Sequence, residues 1–124
     1  EFDDPYKNET FNVFMELREP IKDPKCEFMV DYEGRYAGRV DCLSENRLID
    51  FKTNSKINMD HLKWQLGYYR LALGKEVECW CLWLPKRKYG EWVKVEPIKR
   101  DELLRNLEEY EKQAYESYRD FPFS

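Results

Sequence analysis

The chain has 124 residues, 42% hydrophobic, 37% charged and 16% aromatic, with only 5 Gly and 6 Pro. That length holds one compact domain, and the composition excludes a disordered, collagen-like or linker-like chain. The net charge of −4 hides a segregation: residues 1–33 carry 4 basic and 10 acidic side chains, residues 34–100 carry 14 and 8, and residues 101–124 carry 3 and 7. A basic middle between acidic ends is compatible with nucleic acid, because local field steers a phosphate backbone. Solvated helix faces produce similar unevenness, so charge alone decides nothing.

No run approaches the ~20 apolar residues of a membrane span. The acidic start Glu1-Phe2-Asp3-Asp4 is also unlike a signal peptide, so a cytoplasmic protein with no membrane partner is expected. The absence of an initiating Met leads us to expect a truncated N-terminus. Cys26, Cys42, Cys79 and Cys81 form no C-x-x-C pair and read as reduced core thiols rather than ligands of zinc or an iron–sulfur cluster.

The segment Thr10 to Glu19 carries Phe11, Phe14, Met15 and Arg18 at helical spacing behind a Thr10 cap and before Pro20. From Cys26 to Tyr32 the period changes to two, which predicts a half-buried strand, and Glu33-Gly34-Arg35 turns the chain. Strands over Tyr36–Leu43 and Leu48–Thr53, joined by the polar connection Ser44 to Arg47, complete an antiparallel meander. Met59, Leu62, Leu66, Tyr69 and Leu73 then mark a helix capped by Asn58 and Gly74. Val77–Leu84 and Trp92–Glu96 read as strands around the basic turn at Lys86-Arg87-Lys88, which could grip phosphates. Leu103, Leu107, Tyr110, Ala114 and Tyr118 stripe a last helix behind Asp101. The expected order is α-β-β-β-α-β-β-α, one α+β domain over residues 1–124 with a central mixed sheet flanked by helices.

Asp50 and Lys52 are two apart on the third strand and share a face that a core strand would leave apolar. If Leu43 pairs with Leu48, Asp41 falls opposite Asp50 and Arg39 opposite Lys52. Facing residues have Cβ atoms about 5 Å apart, and two like charges that close need compensation. A hard cation such as Mg²⁺ or Mn²⁺ supplies it, because carboxylate oxygens suit it and it accepts phosphate oxygens as further ligands. The chemistry expected of this pair is metal-assisted phosphodiester hydrolysis, with Lys52 beside the attacking water. With 9 Asp and 12 Lys, an Asp-x-Lys triplet arises about once by chance. One copy, Asp23-Pro24-Lys25, lacks apolar flanks and reads as a turn; the copy at Asp50 stands out by its context: an apolar strand, an Asp across a hairpin, and Gln65 and Tyr69 on one face of the following helix.

Gly38-Arg39-Val40-Asp41, then Leu48-Ile49-Asp50-Phe51-Lys52-Thr53, then Gln65-x-x-x-Tyr69 resemble the three successive motifs of the RecB-type, phage exonuclease-like branch of the PD-(D/E)xK nucleases. The resemblance covers residues 26–84 and implies a restriction-endonuclease-like core and Mg²⁺-dependent DNA cleavage, commonly exonucleolytic, in recombination, repair or phage replication. It also implies a bacterial or phage source and a helicase or recombinase that supplies the DNA. By this resemblance Asp41, Asp50 and the Phe51 carbonyl are metal ligands, Lys52 is the catalytic lysine, and Gln65 and Tyr69 organise the site or contact nucleic acid. The family's early acidic ligand has its best positional match in Glu16, with Glu27 as runner-up. Arg39, Thr53, Lys56 and Lys63 are candidates to position the substrate strand. The four-cysteine cluster of some relatives is not reproduced, which argues against an iron–sulfur centre. His61 reads as part of a polar first helical turn, and most of the four Trp residues as core. The alternative function is a nuclease-like domain that binds nucleic acid or a protein without cutting.

Overall fold

The Tyr32–Tyr36 turn starts the sheet. Glu33 and Gly34 both take left-handed backbone, with φ of 52° and 72°. The Gly34 N–H donates to Asp31 Oδ1 at 2.8 Å, and the Tyr32 and Tyr36 rings stack across the turn with centroids 5.4 Å apart. Positive φ at both central positions matches the twist of the flanking strands and fixes their register. The computed structural model describes residues 12, 14–86 and 89–119. It contains β1 (Lys25–Tyr32), β2 (Tyr36–Ser44), β3 (Arg47–Lys52), α1 (Met59–Leu73), β4 (Glu78–Trp83), β5 (Glu91–Val95) and α2 (Arg100–Arg119). Residues 14–17 are also helical, whereas Thr10, Phe11 and the basic Arg87-Lys88 lie outside the described residues.

The five strands form one mixed sheet in the order β1-β2-β3-β4-β5. The first three strands are the antiparallel meander expected from the sequence, and β4 and β5 are antiparallel too. Between them β3 and β4 run parallel, because α1 carries the chain across the sheet before β4 begins. The Ser44–Arg47 connection is tighter than expected: both residues pair with each other, leaving only Glu45 and Asn46 as the turn.

Both faces of the sheet are covered. On one, Leu62 and Leu66 of α1 pack with Val30, Val40, Leu48, Cys79, Cys81 and Val95. On the other, Phe14, Leu17 and Ile21 lie over Cys42, Ile49, Leu82 and Leu84, beside Trp80 and Trp92. The segment before β1 is pinned there by two bonds: Trp92 Nε1 donates to the Leu17 carbonyl at 2.9 Å, and the buried Ser44 hydroxyl bridges the Lys22 N–H and carbonyl. Burying each of the larger aliphatic side chains contributes about 1.5–3 kcal/mol, so the two layers together hold the strands rather than the hairpins alone.

The helix ends follow their sequence signals. Asn58 accepts the His61 N–H at 3.1 Å, and Gly74, at φ 75°, donates to the Arg70 carbonyl. Asp101 is not the cap of α2: the helix starts at Arg100, and Asp101 lies in its first turn, where a carboxylate favours the helix dipole. Among the described residues no helix is long and apolar enough to cross a membrane.

All four cysteines are free, and three of them are core residues. Burial pushes the Cys42 and Cys79 thiols up to about 11 and Cys81 to about 12. Ellman's reagent at about pH 8 is therefore expected to titrate Cys26 quickly in the native protein and the other three only in denaturant. Rapid reaction of all four without denaturant would contradict this packing.

Candidate functional site

The site forms where β2 and β3 part. Their ladder holds Ser44 against Arg47, Leu43 against Leu48 and Cys42 against Ile49, and stops there. The expected facing of Asp41 with Asp50 and of Arg39 with Lys52 is therefore not made. Arg39 instead pairs with Met29 of β1, and Asp50 with Cys81 of β4.

The cause is a local break in β2. Val40 and Cys42 are two apart and belong on one face of a regular strand, yet Val40 packs in the core under α1 and Cys42 in the opposite one. Across the ladder, Phe28 pairs with Val40 and Cys26 with Cys42, while Glu27 between them takes φ of 53°, an uncommon backbone for a non-glycine residue. Asp41 sits at this irregularity. Freed from the ladder, its Oδ2 accepts the Phe51 N–H at 2.9 Å, so its carboxylate caps β3 beside Asp50.

Asp50 is 4% exposed, held in the middle of the sheet between Ile49 and Phe51. Lys52 Nζ lies 3.2 Å from Asp50 Oδ2, but not along a hydrogen-bonding direction, so Oδ2 is buried without a hydrogen-bond partner. Burial pushes the Asp50 carboxyl up to about 6; Lys52 opposes this and Asp41 adds to it. A buried carboxylate with an unsatisfied oxygen and a second carboxylate alongside is costly by itself. A divalent cation fits this donor set, since Mg²⁺ commonly takes one or two carboxylates and keeps water and phosphate for the rest. Asp41, Asp50 and the Phe51 carbonyl are the groups on these strands that could hold it.

The third motif reaches the strands through a glycine. A Cβ built on Gly38 would stand 2.6 Å from Tyr69 Cε1, closer than real contacts allow, so the bare glycine is what admits the Tyr69 ring. The Tyr69 hydroxyl accepts the Gln65 side-chain N–H at 3.2 Å, and Gln65 Oε1 is buried with no partner. Gly38 in the first motif and Tyr69 in the third are thus in direct contact.

The remaining sequence candidates separate. Glu16 is exposed and accepts the Tyr89 hydroxyl at 2.6 Å; it does not join the two aspartates, and neither does Glu27. Among the described residues no group of three His, Cys, Asp or Glu side chains is arranged to hold a metal. Lys56 shares a small pocket with Lys52, Asn54, Asn58 and His61, whereas Thr53 is exposed just beyond β3. Lys63 is two residues from Gln65 and so on roughly the opposite side of α1; its carbonyl accepts the Ile98 N–H. The sequence missed a cleft of about 710 Å³ between α1, α2 and β2, lined by Tyr36, Trp64, Gln65, Tyr68, Tyr69 and Tyr110 among others.

No protein-family model matches the chain, and no curated protein does. A solved structure titled "Crystal structure of SSO0001" superposes with a TM-score of 0.55 at 18% identity, over 83% of this chain and 56% of that one. That likeness shows the fold: a mixed five-stranded sheet with flanking helices, an α+β architecture. This chain spans little more than half of its structural neighbour.

Proposed function

We propose that this domain is a metal-dependent DNA nuclease of the RecB-type PD-(D/E)xK class, an exonuclease acting in phage replication, recombination or repair. The observation that carries the reading is the Asp50 carboxylate, buried with an unsatisfied oxygen, beside Asp41 and 3.2 Å from Lys52. Mg²⁺ or Mn²⁺, when bound, offsets the two negative charges and stabilises charge developing on the phosphate. Asp41, Asp50 and the Phe51 carbonyl would hold it. Lys52, an ammonium on the same strand face, orients the attacking water and stabilises the phosphate oxygens. Water adds to phosphorus and the bond to the leaving sugar oxygen breaks, so one phosphodiester and one water give a phosphomonoester and a hydroxyl. Gln65 and Tyr69 hold the α1 side of the site.

The test is cleavage of linear and covalently closed circular DNA with Mg²⁺, Mn²⁺ or EDTA, comparing the parent with Asp41→Asn, Asp50→Asn and Lys52→Ala. Metal-dependent loss of the linear form, a surviving circle, and a drop of about 100-fold or more in each variant are expected. A folded protein that cuts neither form with either metal sinks the catalytic reading.

A second reading is a nuclease-like domain that binds DNA, or a helicase or recombinase partner, without cutting. The observation favouring it is Glu16, bonded to Tyr89 rather than joining Asp41 and Asp50. Equal DNA binding with and without metal, and no cleavage, would select it.

A further inference from the structure

The apolar stripe of α2 is covered for only half its length. Leu103 and Leu107 are 2% and 6% exposed, yet Tyr110, one turn on, is 69% exposed and faces the open cleft together with Ala114. The far wall is aromatic and fixed. The Tyr36 hydroxyl donates to the Tyr68 carbonyl at 2.6 Å, the Tyr68 hydroxyl bonds Asn106 on α2, and the Trp64 and Tyr68 rings lie 6.2 Å apart at an interplanar angle of 31°. The two tyrosine hydroxyls are bonded, so these rings are held in place, and Tyr36, Trp64 and Tyr68 all line the cleft.

Charge says what such a surface takes. By helical period Glu108, Glu109, Lys112 and Glu116 lie on the other side of α2. Glu111, the acid that lines the cleft, accepts from Arg35 Nε at 3.0 Å and from Nη2 at 2.7 Å, so the pair presents no net charge. The cleft is thus lined mainly by aromatic and apolar side chains, with its one acid offset by Arg35. Next to it lies the small pocket of Lys52, Asn54, Lys56, Asn58 and His61, and His61 lines both. An uncharged aromatic slot sharing a wall with a lysine pocket matches a nucleotide, ring in one and phosphate in the other. The apolar stripe of a second copy would match the slot but not the lysines.

We propose that the cleft seats an unpaired nucleobase of the strand held at Asp41 and Asp50, between Tyr110 and the Trp64–Tyr68 wall. This rests on the nuclease reading above and narrows it: the substrates are single strands and frayed or tailed ends rather than intact duplex.

The experiment is fluorescence anisotropy of labelled oligothymidylate and of a blunt duplex in Ca²⁺, with the cleavage assay run in parallel in Mg²⁺. The proteins are the parent, Tyr110→Ala, Tyr110→Phe and Trp64→Ala. Tyr110 is exposed, so its replacement leaves the fold intact even if Trp64→Ala does not. Oligothymidylate binding is expected to weaken about tenfold in Tyr110→Ala, to be kept in Tyr110→Phe, and to exceed duplex binding in the parent. If the parent binds or cuts DNA while Tyr110→Ala binds oligothymidylate equally well, the base seat is overturned and the nuclease reading stands. A parent that neither binds nor cuts DNA overturns both. A dimeric parent that Tyr110→Ala turns into a monomer with unchanged DNA affinity makes the cleft an interface between copies, which also overturns the proposal.

Discussion

Asp50→Asn is expected to make the metal-free protein more stable at about pH 7.5 while abolishing DNA cleavage. In the folded chain the Asp50 carboxyl is raised to about 6, chiefly by burial. In the unfolded chain an aspartate titrates near ~3.9. A raised carboxyl binds its proton more tightly when folded, so its favourable contribution is complete below the unfolded value and is lost as pH rises through about 6. Near neutrality the native state therefore carries a buried carboxylate at a cost on the order of 2–3 kcal/mol, which the neutral amide avoids. For a chain of this size that is a rise of roughly 10 °C in Tm. The parent's Tm in EDTA is expected to fall between about pH 4 and 7, and that of Asp50→Asn to fall much less. Adding Mn²⁺ is expected to raise the parent's Tm and leave the variant's unchanged, because only a ligand of the native state shifts the equilibrium. An Asp50→Asn protein less stable than the parent in EDTA at neutral pH would show that the carboxylate is held by structure rather than strained by it, and would remove the main physical motive for a cation there.

Period and caps placed the strands and the two long helices within a residue or so, because both depend on neighbours in the chain: Asn58 caps α1 through its own third residue, and Gly74 ends it by a left-handed φ. The sequence also put Asp50 and Lys52 on one face, since β3 alternates regularly. What it misread depends on pairing. Counting back from Leu43 and Leu48 assumes an unbroken ladder, and nothing in the residue pattern announces that Glu27 turns to positive φ or that Val40 and Cys42 part to opposite cores. Those two irregularities take Asp41 off the ladder and onto the Phe51 N–H, a position that no spacing rule yields. The placement of Glu16 was beyond the sequence for a related reason. Helical periodicity puts it on a solvated face but says nothing of the neighbour it meets, and the neighbour is Tyr89 in the loop before β5. The cleft was illegible because it is a space left between α1, α2 and the β1–β2 hairpin; the Arg35–Glu111 pair across it joins residues far apart in the chain.

Gly38→Ala is expected to lower stability by about 1–3 kcal/mol and to reduce cleavage, both through Tyr69. The new methyl would lie 2.6 Å from Tyr69 Cε1 and 3.3 Å from Cδ1, so the ring must move. It has little room, because Tyr69 packs against the core that includes Leu62 and Leu66, and its hydroxyl is bonded to Gln65. Displacing the ring breaks that bond and shifts Gln65, whose Oε1 is already buried without a partner. The backbone at Gly38 is not left-handed, so the cost comes from contact rather than from φ. A double-mutant cycle separates the two causes. A Tyr69→Ala background removes the three atoms nearest the new methyl, so Gly38→Ala should then cost at most a few tenths of a kcal/mol, leaving a coupling energy of about 1–3 kcal/mol with Tyr69. Tyr69→Phe keeps the ring and removes the hydroxyl bond beforehand, so Gly38→Ala should keep its steric cost there and lose only the share that comes from breaking that bond. An equal penalty in the Tyr69→Ala background would mean that Gly38 is required by the strand itself. In that case the first and third motifs would not be joined by this contact, and Gln65 and Tyr69 would need another route to the aspartates.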